Sequence, residues 1–177
     1  MQIRLATLRD LDQLMLLFEE ARGTIAALGI DQWQDGYPSR LVIEDDVMRH
    51  RSYVVECDGT GEADTAGIVG TFVLVDDGEV TYNEIFGGRW LTGDGCRYVA
   101  IHRVAVAVAR RGSGISSAIM NYAADHARAL GRASLRIDTH EGNVVMRRML
   151  EKHGFTLCGG IRLLSGAPRV AYERVLD

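Results

Sequence analysis

The first third of the chain has the hydrophobic spacing of helices. Residues at i, i+3 and i+4 intervals share one helical face, and here they are Leu11, Leu14, Met15, Phe18, Arg22, Ile25 and Leu28. Thr7 and Asp10 precede them with the spacing of a capping box, and Gly29 ends the pattern. Ser39 is a suitable N-cap for a second helix, which we expect to run to about His50.

Elsewhere the hydrophobic period falls to two, which is typical of strands. The expected strands are Ile3–Ala6, Tyr53–Cys57, Ile68–Val75, Tyr98–Val108, Leu135–Thr139, Phe155–Leu164 and Arg169–Leu176. A loop containing Gly59 and Gly61 joins the second of these strands to the third. Residues 79–96 are rich in glycine and aromatic residues and give no clear assignment.

Two more helices complete the pattern. The first has helical spacing at Ile115, Ala118, Ile119, Tyr122, Ala123, His126, Ala127 and Leu130. Gly131 follows it at the C′ position, and the second helix, Asn143–His153, stops at Gly154. The element order contains one β-α-β unit, which requires a parallel, right-handed crossover, whereas the flanking hairpins are antiparallel. We therefore expect one α/β (α+β) domain over residues 1–177. It has a mixed, mostly antiparallel sheet of about seven strands with helices on both faces.

Composition narrows the range of partners. The chain has 177 residues and a net charge of −4, and no basic run exceeds two residues, so we expect no nucleic-acid partner. No apolar run approaches roughly 18 residues, so we expect no membrane span. Three widely spaced cysteines indicate neither a disulfide framework nor a metal site, and a cytoplasmic protein is the expectation. The acidic pair Asp45-Asp46 is expected to be solvated helix surface.

The most informative segment is a glycine turn between a strand and a helix, Arg111-Gly112-Ser113-Gly114-Ile115. Amides at a helix start lack intrahelical acceptors and lie at the positive end of the helix dipole. Glycines let an anion approach the backbone closely. With Arg110 and Arg111 beside it, the turn predicts a phosphate or pyrophosphate site.

Two nucleotide-binding alternatives fit this turn less well. A nucleoside triphosphate loop requires Gly-Lys-Ser/Thr after the turn, and this is missing. A dinucleotide fingerprint requires a third Gly or Ala where Ser117 stands. By itself, the turn is also compatible with a tight connection that binds nothing.

The order of motifs over nearly the whole chain resembles the GNAT superfamily of N-acetyltransferases. The motifs are Ile101-His102-Arg103-Val104-Ala105-Val106, Arg111-Gly112-Ser113-Gly114-Ile115, Leu135-Arg136-Ile137-Asp138-Thr139-His140, Asn143 and Lys152-His153-Gly154-Phe155. The resemblance implies a GNAT-like fold and an acetyl-CoA-dependent N-acetyltransferase. Its acceptor would be a primary amine of a small molecule or peptide, which attacks the thioester directly. Members of the superfamily often dimerise, so the resemblance also allows a homodimer.

The resemblance further assigns the residues that would bind acetyl-CoA. Backbone groups of the central strand would face the pantetheine arm, namely those of Val104, Ala105 and Val106. Backbone amides of the turn would hold the pyrophosphate, namely those of Arg111, Gly112, Ser113, Gly114, Ile115 and Ser116. Asn143 would hydrogen-bond the pantetheine from the other wall, although asparagine is equally suited to cap the following helix.

Three positions depart from the usual pattern of the superfamily. Ala109 stands where Gln or Arg is usual, and Ser116 replaces a frequent glycine, but neither removes a backbone amide. Leu150 stands where many members have a tyrosine that protonates the leaving thiolate. This last departure keeps open a non-catalytic acyl-CoA-binding or sensor protein of the same fold.

Acetyl transfer needs a proton acceptor, because a protonated amine cannot attack a thioester. The candidate bases are His102, Asp138 and His140, and the proton could also leave through water with Tyr98 or Tyr37 assisting. We favour His102 as the catalytic base, since imidazole titrates near neutral pH and strand alternation gives His102 the parity of Val104 and Val106. His140 ends the next parallel strand, at the edge where α/β sheets bind ligands, and Asp138 could orient a substrate amine or either histidine. His102 could instead be a buried structural histidine, His140 a loop histidine, and Asp138 a solvated or helix-capping carboxylate.

The segment after the first helix is expected to line the acceptor site. Trp33 and Tyr37, with Asp31 and Asp35, would form an aromatic and acidic wall suited to a cationic amine. A surface loop pinned by one aromatic residue is the alternative. The sequence does not identify the acceptor.

Overall fold

The secondary-structure elements follow the hydrophobic pattern closely. The computed structural model describes residues 1–57, 67–93 and 95–177, so the expected loop at Gly59 and Gly61 lies outside the described residues. The strands are β1 (Gln2–Leu5), β2 (Ser52–Cys57), β3 (Gly67–Val75), β4 (Tyr98–Val106), β5 (Ser134–Thr139), β6 (Thr156–Arg162) and β7 (Pro168–Val175). The α-helices are α1 (Leu11–Ala26), α2 (Arg40–Met48), α3 (Ile115–Ala129) and α4 (Val144–Lys152). Short 3-10 turns cover Leu8–Asp10, Val80–Tyr82 and Val108–Arg110.

The strands form a seven-stranded sheet in the order β1-β2-β3-β4-β5-β7-β6. β4 and β5 are parallel, with Tyr98 opposite Ser134 and Ala100 opposite Arg136. The pairings β1–β2, β2–β3, β5–β7 and β6–β7 are antiparallel. The predicted fold class, a mostly antiparallel sheet with one parallel β-α-β crossover, is confirmed.

The chain divides into two compact units, of which the first comprises Met1–Leu74 and Arg103–Ile119. Helix-spaced residues of α1 and α2 pack there against strand residues, and the buried cluster consists of Ala6, Leu11, Leu14, Phe18, Ile43, Val47, Val54 and Ala105. Asp10 precedes α1 and accepts hydrogen bonds from the Thr7 amide at 2.7 Å and hydroxyl at 3.0 Å. The hydrophobic spacing of the sequence thus defines the core of this unit.

The second unit comprises Val75–His102 and Met120–Asp177. Glu173 on β7 is fully buried and accepts a hydrogen bond from Arg136 Nε of β5 at 2.9 Å. The Arg136 guanidinium lies 4.2 Å from the ring centroid of Trp90. Buried charges need such partners, and here they order part of the segment that the sequence left unassigned. The single domain expected over residues 1–177 stays a prediction.

Two expectations were wrong. The strand predicted to reach Val108 ends at Val106, and Val108 instead begins a 3-10 turn. Asp46, expected to be solvated, is only 5% exposed because its carboxylate pairs with Arg103. Both errors concern residues whose decisive partners are distant in the sequence.

Three absences hold for the described part of the chain. No helix there is long and apolar enough to cross a membrane. No cluster of three or more His, Cys, Asp or Glu side chains is arranged to hold a metal ion. The described cysteines are all free thiols.

Candidate active site

The glycine turn before α3 exposes backbone amides at the protein surface. Gly112 and Gly114 have φ angles of 79° and 87°, a left-handed conformation that glycine adopts without steric cost. Within the described residues, the amides of Gly112, Gly114, Ile115 and Ser116 have no protein acceptor. Ile115 is the first residue of α3, so these donors lie at the positive end of a helix dipole. The arrangement suits a bound anion.

Two of the amides predicted to bind pyrophosphate also donate hydrogen bonds within the turn. The Arg111 amide donates to the Val108 carbonyl at 3.3 Å, and the Ser113 amide donates to the Arg110 carbonyl at 3.4 Å. Both bonds are long and therefore weak. The Ser113 hydroxyl donates to the same Arg110 carbonyl at 2.6 Å. Pyrophosphate binding by the amides from 111 to 116 stays a prediction, and among the described residues four of these amides have no protein acceptor.

Helix α1 holds the turn in place. Glu20 Oε2 accepts a hydrogen bond from the Val108 amide at 3.0 Å, and Arg111 Nη2 donates to Thr24 Oγ1 at 2.8 Å. Ile115 is 2% exposed and anchors the other end of the turn in the core. The exposed glycines therefore lie between two fixed points.

Strand β4 contains a local irregularity upstream of the turn. Arg103 has a φ of 51°, a conformation that costs a non-glycine residue about 1–2 kcal/mol. Side-chain alternation requires extended backbone, so the common parity predicted for His102, Val104 and Val106 does not follow. Ala105 is buried in the core of the first unit, and Val104 and Val106 are half-buried. Their contact with pantetheine stays a prediction.

The Arg103 side chain joins three segments of the first unit. Its Nε and Nη2 atoms lie 2.7 Å and 2.8 Å from the two carboxylate oxygens of Asp46 on α2. Its Nη1 donates to the Tyr37 hydroxyl, and its guanidinium carbon lies 5.9 Å from the Tyr37 ring centroid. The Arg103 and Asp46 side chains are 13% and 7% exposed. This desolvated pair therefore ties β4 to α2 and to the loop between α1 and α2.

Two predicted acceptor residues meet at this cluster. The Trp33 and Tyr37 ring centroids are 6.4 Å apart, and Trp33 packs edge-on against Phe18 of α1 at 5.9 Å. Asp35 Oδ1 accepts a hydrogen bond from the Tyr37 amide at 3.2 Å, which closes an Asx turn. The loop is thus ordered from α1 by ring packing and from β4 by Arg103, rather than by a single aromatic residue.

The second unit brings two other predicted residues together. The described parallel register of β4 with β5 ends where Ala100 faces Arg136. Beyond it, toward the carboxyl ends of these strands, lie His102 and Asp138. The Tyr82 hydroxyl donates to Asp138 Oδ1 at 2.7 Å, and the Tyr82 ring centroid lies 6.0 Å from that of His102. The carboxyl ends of parallel strands are a usual place for ligands in α/β sheets.

Glu79, which sequence reasoning missed, faces His102. Glu79 Oε2 lies 3.3 Å from His102 Nε2, and Glu79 Oε1 accepts from the Thr81 amide at 3.2 Å and hydroxyl at 2.9 Å. The contact with His102 is the main cause that lowers the pKa of Glu79 to about 2, against the opposing effect of burial. Glu79 is therefore a fixed negative charge beside the imidazole at neutral pH.

Tyr82 remains a neutral hydrogen-bond donor. Its burial, and then the charge of Asp138, raise the pKa of Tyr82 well above its usual value. Asp138 Oδ2 has no partner among the described residues. Asp138 thus contacts Tyr82 instead of either histidine, and one of its oxygens remains available to accept a hydrogen bond.

Three further positions have clear structural roles. His140 Nδ1 accepts from the Gly142 amide at 3.0 Å in the turn before α4. Asn143 Oδ1 accepts from the Met146 amide at 3.2 Å, which confirms the capping interpretation. Leu150 is fully buried in the core. A substrate contact for His140 and a pantetheine contact for Asn143 stay predictions.

The missed residues gave weak local signals. Glu79 and Tyr82 lie in the segment that showed no period, although an acidic residue two positions before Thr81 has the spacing of a side-chain cap. Asp46 had no such signal, because its partner Arg103 is 57 residues away.

Comparison with known proteins identifies a matching family and similar solved structures. A model of the acetyltransferase (GNAT) family matches residues 12–155. A solved GNAT-family acetyltransferase from Streptococcus agalactiae 2603 is 36% identical to this chain and superposes on it with a TM-score of 0.84. The match covers 99% of this chain and 95% of that chain. No match was found among curated proteins.

More distant structures share the fold. A ribosomal-protein-alanine N-acetyltransferase from Brucella melitensis is 18% identical, with 99% of this chain and 100% of that chain covered and a TM-score of 0.65. The NatC complex bound to Gag peptide and CoA contains a chain that is 16% identical, with 78% and 80% covered and a TM-score of 0.58. At these identities the similarity concerns the fold alone.

Proposed function

Since the chain belongs to the GNAT acetyltransferase family and is an acetyltransferase, we propose that it transfers the acetyl group of acetyl-CoA to a primary amine. The amine belongs to a small molecule or peptide and attacks the thioester carbonyl directly. The C–N bond forms, the C–S bond breaks, and the amine loses one proton. The observation that carries this proposal is the exposed turn at Gly112 and Gly114, with its unpaired amides at the start of α3.

The turn has the chemistry to hold the diphosphate of the acetyl donor. A Cβ built on Gly112 or Gly114 would meet no heavy atom within 4 Å, so the space beside the backbone is open to an anion. Arg110 and Arg111 directly precede Gly112 in the sequence and add positive charge. Backbone groups of β4 at 104–106, together with Asn143, are the proposed contacts of the pantetheine arm.

His102 is the proposed catalytic base. Its side chain is 16% exposed, so a proton taken from the amine can pass to solvent. Leu150 is in the core and cannot donate a proton, so the leaving thiolate takes its proton from solvent in this scheme.

The acceptor is proposed to arrive as a cation. Asp138 has an available carboxylate oxygen for an ammonium group. Trp33 and Tyr37 remain proposed acceptor contacts, and the Arg103 guanidinium already lies over the Tyr37 ring. His140 remains a proposed substrate contact.

CoA binding by a Gly112→Asp variant tests the proposal. A carboxylate at this position would repel the diphosphate, so we expect the Kd for CoA to rise by about 100-fold in isothermal titration calorimetry. Gly166→Asp is the matched control, because Gly166 has a φ of 85° and equally open space but lies in the β6–β7 hairpin.

The control separates charge from backbone strain. Both substitutions put a side chain on a left-handed residue, so we expect similar losses of stability but normal CoA affinity in Gly166→Asp. Equal CoA affinity in Gly112→Asp and the wild type would contradict the assignment of the turn.

A further inference from the structure

Glu79 is held rigidly by groups other than His102. One carboxylate oxygen, Oε1, accepts two hydrogen bonds from Thr81. The backbone amide of Glu79 donates to the Tyr98 hydroxyl at 3.0 Å. The second oxygen, Oε2, is thereby directed at the imidazole, and the Glu79 side chain is 23% exposed. The carboxylate is thus in place before any substrate binds.

The contact between Glu79 and His102 suits a protonated, positively charged imidazole ring. Nε2 of His102 is buried and makes no hydrogen bond within the described part of the chain, and Glu79 Oε2 lies 3.3 Å from it without the geometry of a hydrogen bond. Such contacts often tighten when the catalytic charge develops. A carboxylate in this position stabilises an imidazolium more than a neutral imidazole.

The other groups near His102 do not compete for this role. Tyr82 faces the ring from the Val80–Tyr82 turn, stays protonated and points its hydroxyl at Asp138 on β5. Tyr98 lies on the same strand as His102, and its hydroxyl is hydrogen-bonded to the backbone amide and carbonyl of Glu79. The ionised group in contact with the ring is therefore Glu79.

We infer that Glu79 is a positioning residue that keeps the proton of neutral His102 on Nε2, so that Nδ1 is the atom that takes the proton from the amine. This inference rests on His102 acting as the base in the proposed function. One proton moves from the ammonium nitrogen to Nδ1, and the resulting imidazolium is stabilised by the Glu79 carboxylate. The proton then leaves Nδ1 for solvent, which restores the starting tautomer.

The test combines kinetics of Glu79→Gln with nitrogen NMR of His102. We expect kcat/KM for the amine to fall about 10- to 100-fold, less than the roughly 100- to 10,000-fold contribution of a general base itself, because His102 is still present, whereas the KM for acetyl-CoA stays constant. The acid limb of the pH profile of kcat/KM should move to lower pH, because removing the carboxylate destabilises the imidazolium. A merely structural role would lower the rate without moving this limb.

A matched control and a substrate-free readout complete the design. Glu84→Gln changes an exposed carboxylate of the same segment and should keep wild-type kinetics. In ¹⁵N NMR without substrates, the neutral His102 ring of the wild type should carry its proton on Nε2, whether or not an amine substrate is known.

Two results would overturn the inference. One is a neutral His102 ring protonated on Nδ1 in the wild type. The other is an acid limb that stays in place in Glu79→Gln while the wild type acetylates amines, which would leave the acetyl-transfer proposal intact.

Discussion

Asp10 is a single carboxylate whose charge stabilises the first unit. It accepts hydrogen bonds from Arg4 Nη1 at 2.8 Å, from Arg4 Nη2 at 3.0 Å and from the Thr7 amide. The hydrogen bond from Arg4 is the main cause that lowers the pKa of Asp10 to about 2. Because this pKa lies below the unfolded value of about 4, the stabilisation is complete above pH of about 4. It is lost as the pH falls through about 2.

Replacement of Asp10 by Asn should therefore have a pH-dependent effect. We expect the free energy of unfolding at pH 7 to fall by about 1.5–3 kcal/mol, the usual range for hydrogen bonds to charged groups. The difference from wild type should shrink as the pH drops below about 4, as measured by urea unfolding across a pH series. Asp12→Asn is the control, since the Asp12 side chain is 86% exposed and such surface pairs contribute little. A difference that stays constant down to pH of about 3 would contradict this account.

At the scale of elements, Arg103 connects strand β4 to helix α2 and to the loop that carries Trp33 and Tyr37. Arg103→Lys keeps the positive charge but loses the two-pronged contact with Asp46 and the stacking on Tyr37. We expect the KM for the acceptor amine to rise about tenfold and the unfolding free energy to fall by about 1–3 kcal/mol. The Kd for CoA should stay unchanged in calorimetry.

The control for this variant is Arg40→Lys, because Arg40 pairs with Asp12 on the surface and its side chain is 53% exposed. It should leave both kinetics and stability at wild-type values. If Arg103→Lys lost stability but kept the acceptor KM, the loop with Trp33 and Tyr37 would not be part of the acceptor site.

Elements with a strong internal period were predictable from the sequence. Helices α1 and α3 each show several turns of apolar spacing, and the structure places their ends within two residues of the prediction. The capping role of Asn143 was also predictable, because an N-cap depends on a neighbouring amide of the same segment.

Elements that depend on distant partners were not predictable. Val108 looks like a strand residue, but its amide donates to Glu20 on α1 and the chain turns there. The left-handed Arg103 carries no sequence signature, and its contact with Asp46 spans 57 residues. Glu79 lies in a segment without a period, so its contact with His102 came from the structure alone.

At the scale of the whole molecule, chain order connects the proposed chemical roles. Strand β4 carries His102 and leads directly into the glycine turn, and β5 follows α3 as the parallel partner of β4. The β-α-β unit therefore contains the proposed proton acceptor, the diphosphate site and Asp138 in one stretch of sequence. This order of elements can be recognised in the amino-acid sequence, which is why the order of the motifs indicated the family.

The most direct test is acetyl transfer itself. The purified protein is incubated with acetyl-CoA and a panel of primary amines, and both the free thiol and the acetylated amine are measured by mass spectrometry. The account predicts equal amounts of thiol and acetylated product with at least one amine, at a rate that His102→Ala lowers by about 100-fold or more without changing CoA affinity. Tight binding of acetyl-CoA without acetylation of any amine, or full activity in His102→Ala, would contradict it.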